Sequence, residues 1–226
     1  MKDFRMDLDL ATSDPDGICD NNASNNTTTT MLLDGVLTSS GTFTSADGLS
    51  RQLSITDTAT QDQSDSTFTF TGTDADGRAQ TEDLAGPGSG ATVNTVKRYL
   101  TITAIAVAGG DSGDTVDIGT STGGVACCKT FPLDWRAGYA AVAQLEKTGT
   151  ANVDIEVTLQ NPFQNDAAPF TITDQEDLAW INDANFTGET ADIINPLSTN
   201  GIKAMRVVVN SFTTTAEAQV YVSQPL

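Results

Sequence analysis

The sequence predicts an all-β chain: two β-sandwich or jelly-roll-like modules, with an extended N-terminal arm. Three observations carry that expectation. Apolar and polar residues alternate with period two in segment after segment, which is the pattern of a strand with one buried face. Turns rich in Gly and Asp separate these segments at intervals of roughly 8–15 residues, a rhythm that fits sandwiches and not βαβ units. Threonine is abundant, and its β-branched, hydroxyl-bearing side chain suits strands and their solvent faces.

The first element is the strictest. Across residues 3–10, Phe4, Met6, Leu8 and Leu10 fall on one side, and Asp3, Arg5, Asp7 and Asp9 on the other. A turn at Asp14–Gly17 and a polar run to Thr30 follow, with little to bury. Residues 1–30 therefore read as an arm, a strand on a polar linker. Such a strand can pack on its own chain or add to the sheet edge of a neighbouring subunit. That makes Phe4, Met6, Leu8 and Leu10 interface candidates.

Residues 31–120 read as the first sandwich module. Candidate strands at 36–43 and 49–55 lead into a hairpin, where Phe68 and Phe70 alternate with Thr67, Thr69 and Thr71. Asp74-Ala-Asp-Gly77 supplies the turn, with Gly77 suited to positive φ. The return arm sets Gln80, Glu82 and Leu84 on one face, and the Gly-rich 86–90 stretch stops it. Strands at 92–96 and 99–107 come next. The second is apolar on both faces (Leu100, Ile102, Ile105, Val107), which predicts a central position. Val116 and Ile118 mark one more short strand, and Gly119–Gly124 is the expected module boundary.

Residues 125–226 read as the second sandwich module. Residues 131–139 form a loop with aromatic anchors Trp135 and Tyr139. Segments 140–145 and 152–159 read as a hairpin across Lys147–Thr150. Residues 174–180 read as a helical turn capped by Thr173 or Asp174, with Trp180 beside it. Strands over 202–209 and 216–222 close the chain.

Composition narrows function. The 226 residues carry 30 acids and 11 bases, a net charge of −19. No segment is basic, so neither nucleic acid nor an anionic membrane is an expected partner. No apolar run reaches the roughly 18 residues of a membrane span, and the N-terminus lacks the apolar core of a signal peptide. Synthesis in a cytoplasm is the expectation. Three cysteines, two of them adjacent at Cys127 and Cys128, make no disulfide framework.

The chain has no histidine. That removes the commonest general base and metal ligand, and with it the Ser–His–Asp and Cys–His mechanisms. Carboxylate pairs drawn from Glu146, Glu156, Glu176 and Glu189 could in principle hydrolyse glycosides, but Glu156 reads as the polar face of an ordinary strand. Asp74 and Asp76 echo the opening of a calcium loop without its third acid or distal Glu, so a turn is the reading there. Lys97-Arg98 is a lone basic pair that reads as a solvated strand end, with a bridge to an acidic patch on a partner subunit as the functional alternative. Trp135, Tyr139 and Trp180 are candidate interface anchors. No enzyme and no cofactor are expected.

Three segments also carry a resemblance. Arg51–Thr56, Thr67–Gly77 and Thr92–Val107 together resemble a module recurrent in structural proteins of tailed bacteriophages. There, a strand leads into a TFTFTGTDADG hairpin and a later strand ends in an I-A-V run. The likeness spans residues 50–120, and Gly149–Phe163 is similar to a segment that often follows. It implies a virion component. For an acidic chain without catalytic groups, it implies a capsid decoration or cement protein on the capsid exterior. The partners would be the major capsid protein and copies of itself, as a homotrimer matching capsid three-fold sites. The alternative is a tail-associated fibre or tube component, structural or host-glycan-binding.

Overall fold

The computed structural model describes residues 2–24, 30–58, 62–109, 115–133, 141–162, 174–197, 201–213 and 216–224. The chain is all-β, as expected. It divides into two compact units, Ser13–Thr122 and a discontinuous one of Met1–Thr12 with Gly123–Leu226. Among the described residues no helix is long and apolar enough to cross a membrane.

The Ser13–Thr122 unit contains β2 (Cys19–Ala23), β3 (Thr38–Ser39), β4 (Thr42–Thr44), β5 (Ser50–Asp57) and β6 (Thr67–Thr73). They are followed by β7 (Ala79–Ala85), β8 (Thr92–Tyr99), β9 (Thr101–Ala108) and β10 (Thr115–Thr120). One sheet runs β8–β5–β10–β2, and the other β3–β4–β9–β6–β7. With β4 counted as the second strand and β3 as a short edge strand hairpinned onto it, the first, eighth, third and sixth strands share a sheet. The second, seventh, fourth and fifth share the other. That alternation is jelly-roll topology.

Between the sheets lies one apolar cluster built on Phe43, Phe68, Phe70, Tyr99, Ile102 and Ile118. Burying each such large side chain stabilises by about 1.5–3 kcal/mol. The expected hairpin is present, with Phe68 opposite Leu84 and Phe70 opposite Glu82. The strand expected to be apolar on both faces is β9, and it is central, between β4 and β6. Its double-sided pattern comes from a register shift, however: Thr71 pairs with Ala104 and the adjacent Gly72 with Ile102. The extra residue, Thr103, changes which parity points inward, so Ile102, Ile105 and Val107 all reach the core. Gly72 sits at that irregularity because a Cβ there would overlap Thr101 O.

The discontinuous unit contains β1 (Lys2–Asp9), β11 (Ala126–Cys127), β12 (Phe131–Pro132), β13 (Val142–Thr148), β14 (Ala151–Thr158) and β15 (Ile181–Asn182). β16 (Ile193–Pro196), β17 (Ala204–Phe212) and β18 (Glu217–Gln224) complete it. Its sheets are β1–β18–β13–β16 and β15–β14–β17 with β11 and β12 along the far side of β17. With β11 and β12 taken as one strand, the order is again first–eighth–third–sixth and fifth–fourth–seventh–second. This half is also a jelly roll, with the other jelly roll inserted between its first and second strands.

Two expectations are corrected here. The 1–30 arm is no single element: β1 belongs to the unit of residues 123–226, whereas β2 pairs with β10 in the other unit. The polar run after Asp14 contains too little apolar sequence to advertise a strand, yet Ile18 and Cys19 alone anchor β2. Second, β13 and β14 are no hairpin. β13 pairs with β18 and β16, and β14 with β17 and β15, so Gly149 turns the chain from one sheet to the other. The expected helical turn is a 3-10 turn, Gln175–Asp177, capped by Asp174 in a reciprocal capping box.

Candidate interaction surfaces

The apolar side of β1 faces inward. Met6, Leu8 and Leu10 are 4%, 2% and 4% exposed, and Cys128 Sγ lies 3.9 Å from Met6 Sδ. These residues, expected at an interface, are core of their own unit. Phe4 pairs in register with Val222, and its side chain lies outside the described set. The reason is general: alternation says that one face is buried, and leaves open which chain buries it.

The surface that β1 does present is its charged side. Three rows cross the sheet in register: Asp3–Ser223–Val142, Arg5–Tyr221–Gln144–Ile194, and Asp7–Gln219–Glu146. The Arg5 guanidinium lies 5.3 Å from the Tyr221 ring centre and 2.7 Å from Asp7 Oδ1. The Asp7 hydrogen bond raises the Arg5 pKa above its ordinary value. Tyr221 Oη donates to Gln219 Oε1 at 2.9 Å, and Gln144 Nε2 donates to Glu146. Val142 and Ile194 remain 40% and 62% exposed. The first two rows, Asp3–Ser223–Val142 and Arg5–Tyr221–Gln144–Ile194, line a shallow groove of about 430 Å³. Beyond it Glu146, Lys147, Asp192 and Glu217 line a smaller, charged hollow of about 210 Å³.

In the Ser13–Thr122 unit, Lys97 and Arg98 lie on a bulge of β8. Gln52 pairs with Arg98 but Ser54 with Asn94, so β8 carries two extra residues here. The Glu82 carboxylate accepts from the Val96 and Lys97 amides at 2.6 and 3.0 Å, and Gln80 Nε2 donates to Arg98 O at 2.6 Å. Side chains of β7 thus stand in for a backbone ladder, and they hold Val96 outward at 82% exposure.

Asp74 is 2% exposed, and its Oδ1 accepts from the Asp76 and Arg78 amides, both at 2.9 Å. That is a side-chain-closed turn. Among the described residues no group of three or more Cys, Asp or Glu could hold a metal ion.

Trp135 and Tyr139 lie outside the described residues, while Trp180 lies within them. Arg206, in the middle of β17, stacks 4.5 Å from the Trp180 ring centre. Its Nε donates to Glu156 Oε2 at 2.6 Å, and both terminal nitrogens reach Glu176. Trp180 Nε1 donates to Gln175 O at 2.8 Å, and Gln175 Nε2 donates to Thr130 Oγ1 at 2.9 Å. Burial opposes the Arg206 charge, but Cys127, Glu176 and Glu156 together hold its pKa above the ordinary guanidinium value. Glu156 and Glu176 are thus bound into one ion-pair network that pins the 174–180 segment to the sheet. Sequence reasoning missed Arg206. The available signal was one charge inside the apolar run Ala204–Val209.

All three cysteines are free and buried, and burial pushes the Cys19 thiol up to about 12.

Neither a family model nor a curated protein matches the chain. Among solved structures it is similar to the major capsid protein P2 of bacteriophage PM2, at 11% identity and a TM-score of 0.21 over 97% of each chain. A likeness of that strength is too weak to bear on fold or function.

Proposed function

We propose that this chain is a non-enzymatic structural protein of a bacteriophage particle. Within it, the chain acts as a capsid decoration protein, bound between capsomers on the outer surface as a homotrimer. The observation that carries the reading is the pair of jelly rolls, one inserted into the other. Jelly rolls serve as capsid, lectin and cupin domains. A chain without histidine is a poor metal-holding cupin. Trp180, the described aromatic that would floor a sugar site, has its ring stacked with Arg206. Shell binding is the reading we adopt, and the phage-like segments of residues 50–120 support it.

Removing the gene from the phage tests the cement role. Particles should still close, but release DNA at a lower temperature, and purified protein added back should restore heat resistance. Failure to assemble any shell would instead make the chain a shell subunit. Intact, heat-resistant heads lacking only tail function would move it to the tail.

A further inference from the structure

We propose that the free edge of β1 is a docking site for an extended, basic segment of another protein, added to the sheet as a further strand. The inference names the partner chemistry of the surface role above. It rests on that reading only in taking the partner to be a neighbour in the particle.

The backbone is poised for addition. Leu10 N–H donates to Ala216 O at 3.3 Å, one step beyond the pair Asp9–Glu217. In an antiparallel ladder the exchanging pairs alternate, so even-numbered residues of β1 bond to β18. The N–H and C=O groups of Asp3, Arg5, Asp7 and Asp9 then point away from it. Among the described residues no strand pairs with that side. The register with β18 runs unbroken through eight residues, with neither a bulge nor a proline to blunt the edge.

Charge selects the occupant. The same four residues project their side chains to the exposed outer face, three carboxylates and one guanidinium already tied to Asp7. A second copy of β1 gains less than a basic strand would. Centred on Met6, two Asp3–Asp9 oppositions offset two Arg5–Asp7 pairs; centred on Arg5, Arg5 meets itself and Asp3 meets Asp7 twice; centred on Asp7, Asp7 meets itself between two Arg5–Asp9 pairs. A strand with Lys or Arg at alternate positions meets Asp3, Asp7 and Asp9 with opposite charge. Apolar residues at its other positions would extend the inward row of Met6 and Leu8.

Amide hydrogen exchange of the isolated full chain tests this, with an eight-residue peptide of alternating Lys and Val as probe and its Glu–Val counterpart as control. The Lys–Val peptide should slow exchange at Asp3, Arg5, Asp7 and Asp9 by about tenfold or more, and the control should not. An Asp3→Lys, Asp9→Lys double variant should keep the even-numbered amides protected and lose the response. Binding of the basic peptide without protection of these four amides would be diffuse attraction to an acidic protein and would overturn the proposal. So would a dimer through this edge in the peptide-free protein.

Discussion

Arg206 stacks its guanidinium 4.5 Å from the centre of the Trp180 ring while donating to Glu156 and Glu176. A buried charge with matched partners is costly to break from one side, since the remaining carboxylates keep their charge in a poor environment. Glu156 and Glu176 are 17% and 28% exposed, which lets water relieve part of the loss. Arg206→Leu should therefore destabilise by about 2–3 kcal/mol, read as a lower denaturant midpoint. Arg206→Lys should not rescue it, because an ammonium neither forks between two carboxylates nor stacks flat on an indole. Full rescue by Lys would reduce the network to a simple point charge.

The Glu82 clamp on the β8 bulge predicts a local effect. Glu82→Ala removes the acceptor for two partly solvated amides, at about 1 kcal/mol. Exchange at Val96 and Lys97 should accelerate while the β6–β9 ladder stays protected. Uniform acceleration across the unit would mean that Glu82 supports the whole fold instead.

Deleting residues 1–12 cannot leave the fold untouched, because Met6, Leu8 and Leu10 are core. Truncating side chains of this kind to Ala costs about 2–5 kcal/mol each. The deletion should unfold the unit of residues 123–226 and leave a protease-resistant fragment near residues 13–122. An unchanged melt would show that β1 is dispensable to that jelly roll.

Cys19 gives a pH dependence with a definite sign. Its thiol is held up to about 12 in the folded chain, against an ordinary value of 9.0. Between those values the unfolded state loses a proton that the folded state keeps. The Cys19 contribution is therefore complete below pH 9 and falls as pH rises toward 12, by at most about 1.4 kcal/mol per unit. Cys19→Ala should flatten the alkaline slope of stability. In the native protein at pH 8, iodoacetamide should label none of the three cysteines; rapid labelling of Cys19 would contradict its burial.

The fold class was legible because alternation in β1, β6 and β14 and Gly/Asp turns are local signals. What was illegible is long-range. Nothing in the 142–158 stretch distinguishes a hairpin from a crossing between two sheets, since both need only a tight turn at Gly149. The division of residues 1–30 between two units depends on β18 and β10, which are distant in sequence. Arg206 was hidden for the opposite reason: its environment is made by Glu156, Glu176 and Trp180, each ordinary in its own segment. Of the interface candidates, Met6, Leu8 and Leu10 proved to be core, since an apolar stripe marks burial and does not name the partner.

Quantitative mass spectrometry of purified particles, with this chain measured against the major capsid subunit, tests the central claim most directly. A decoration protein at repeated capsid sites should be present in on the order of hundreds of copies, in fixed ratio to the shell. Absence from the particle would contradict the account outright, and a handful of copies would contradict its placement on the capsid.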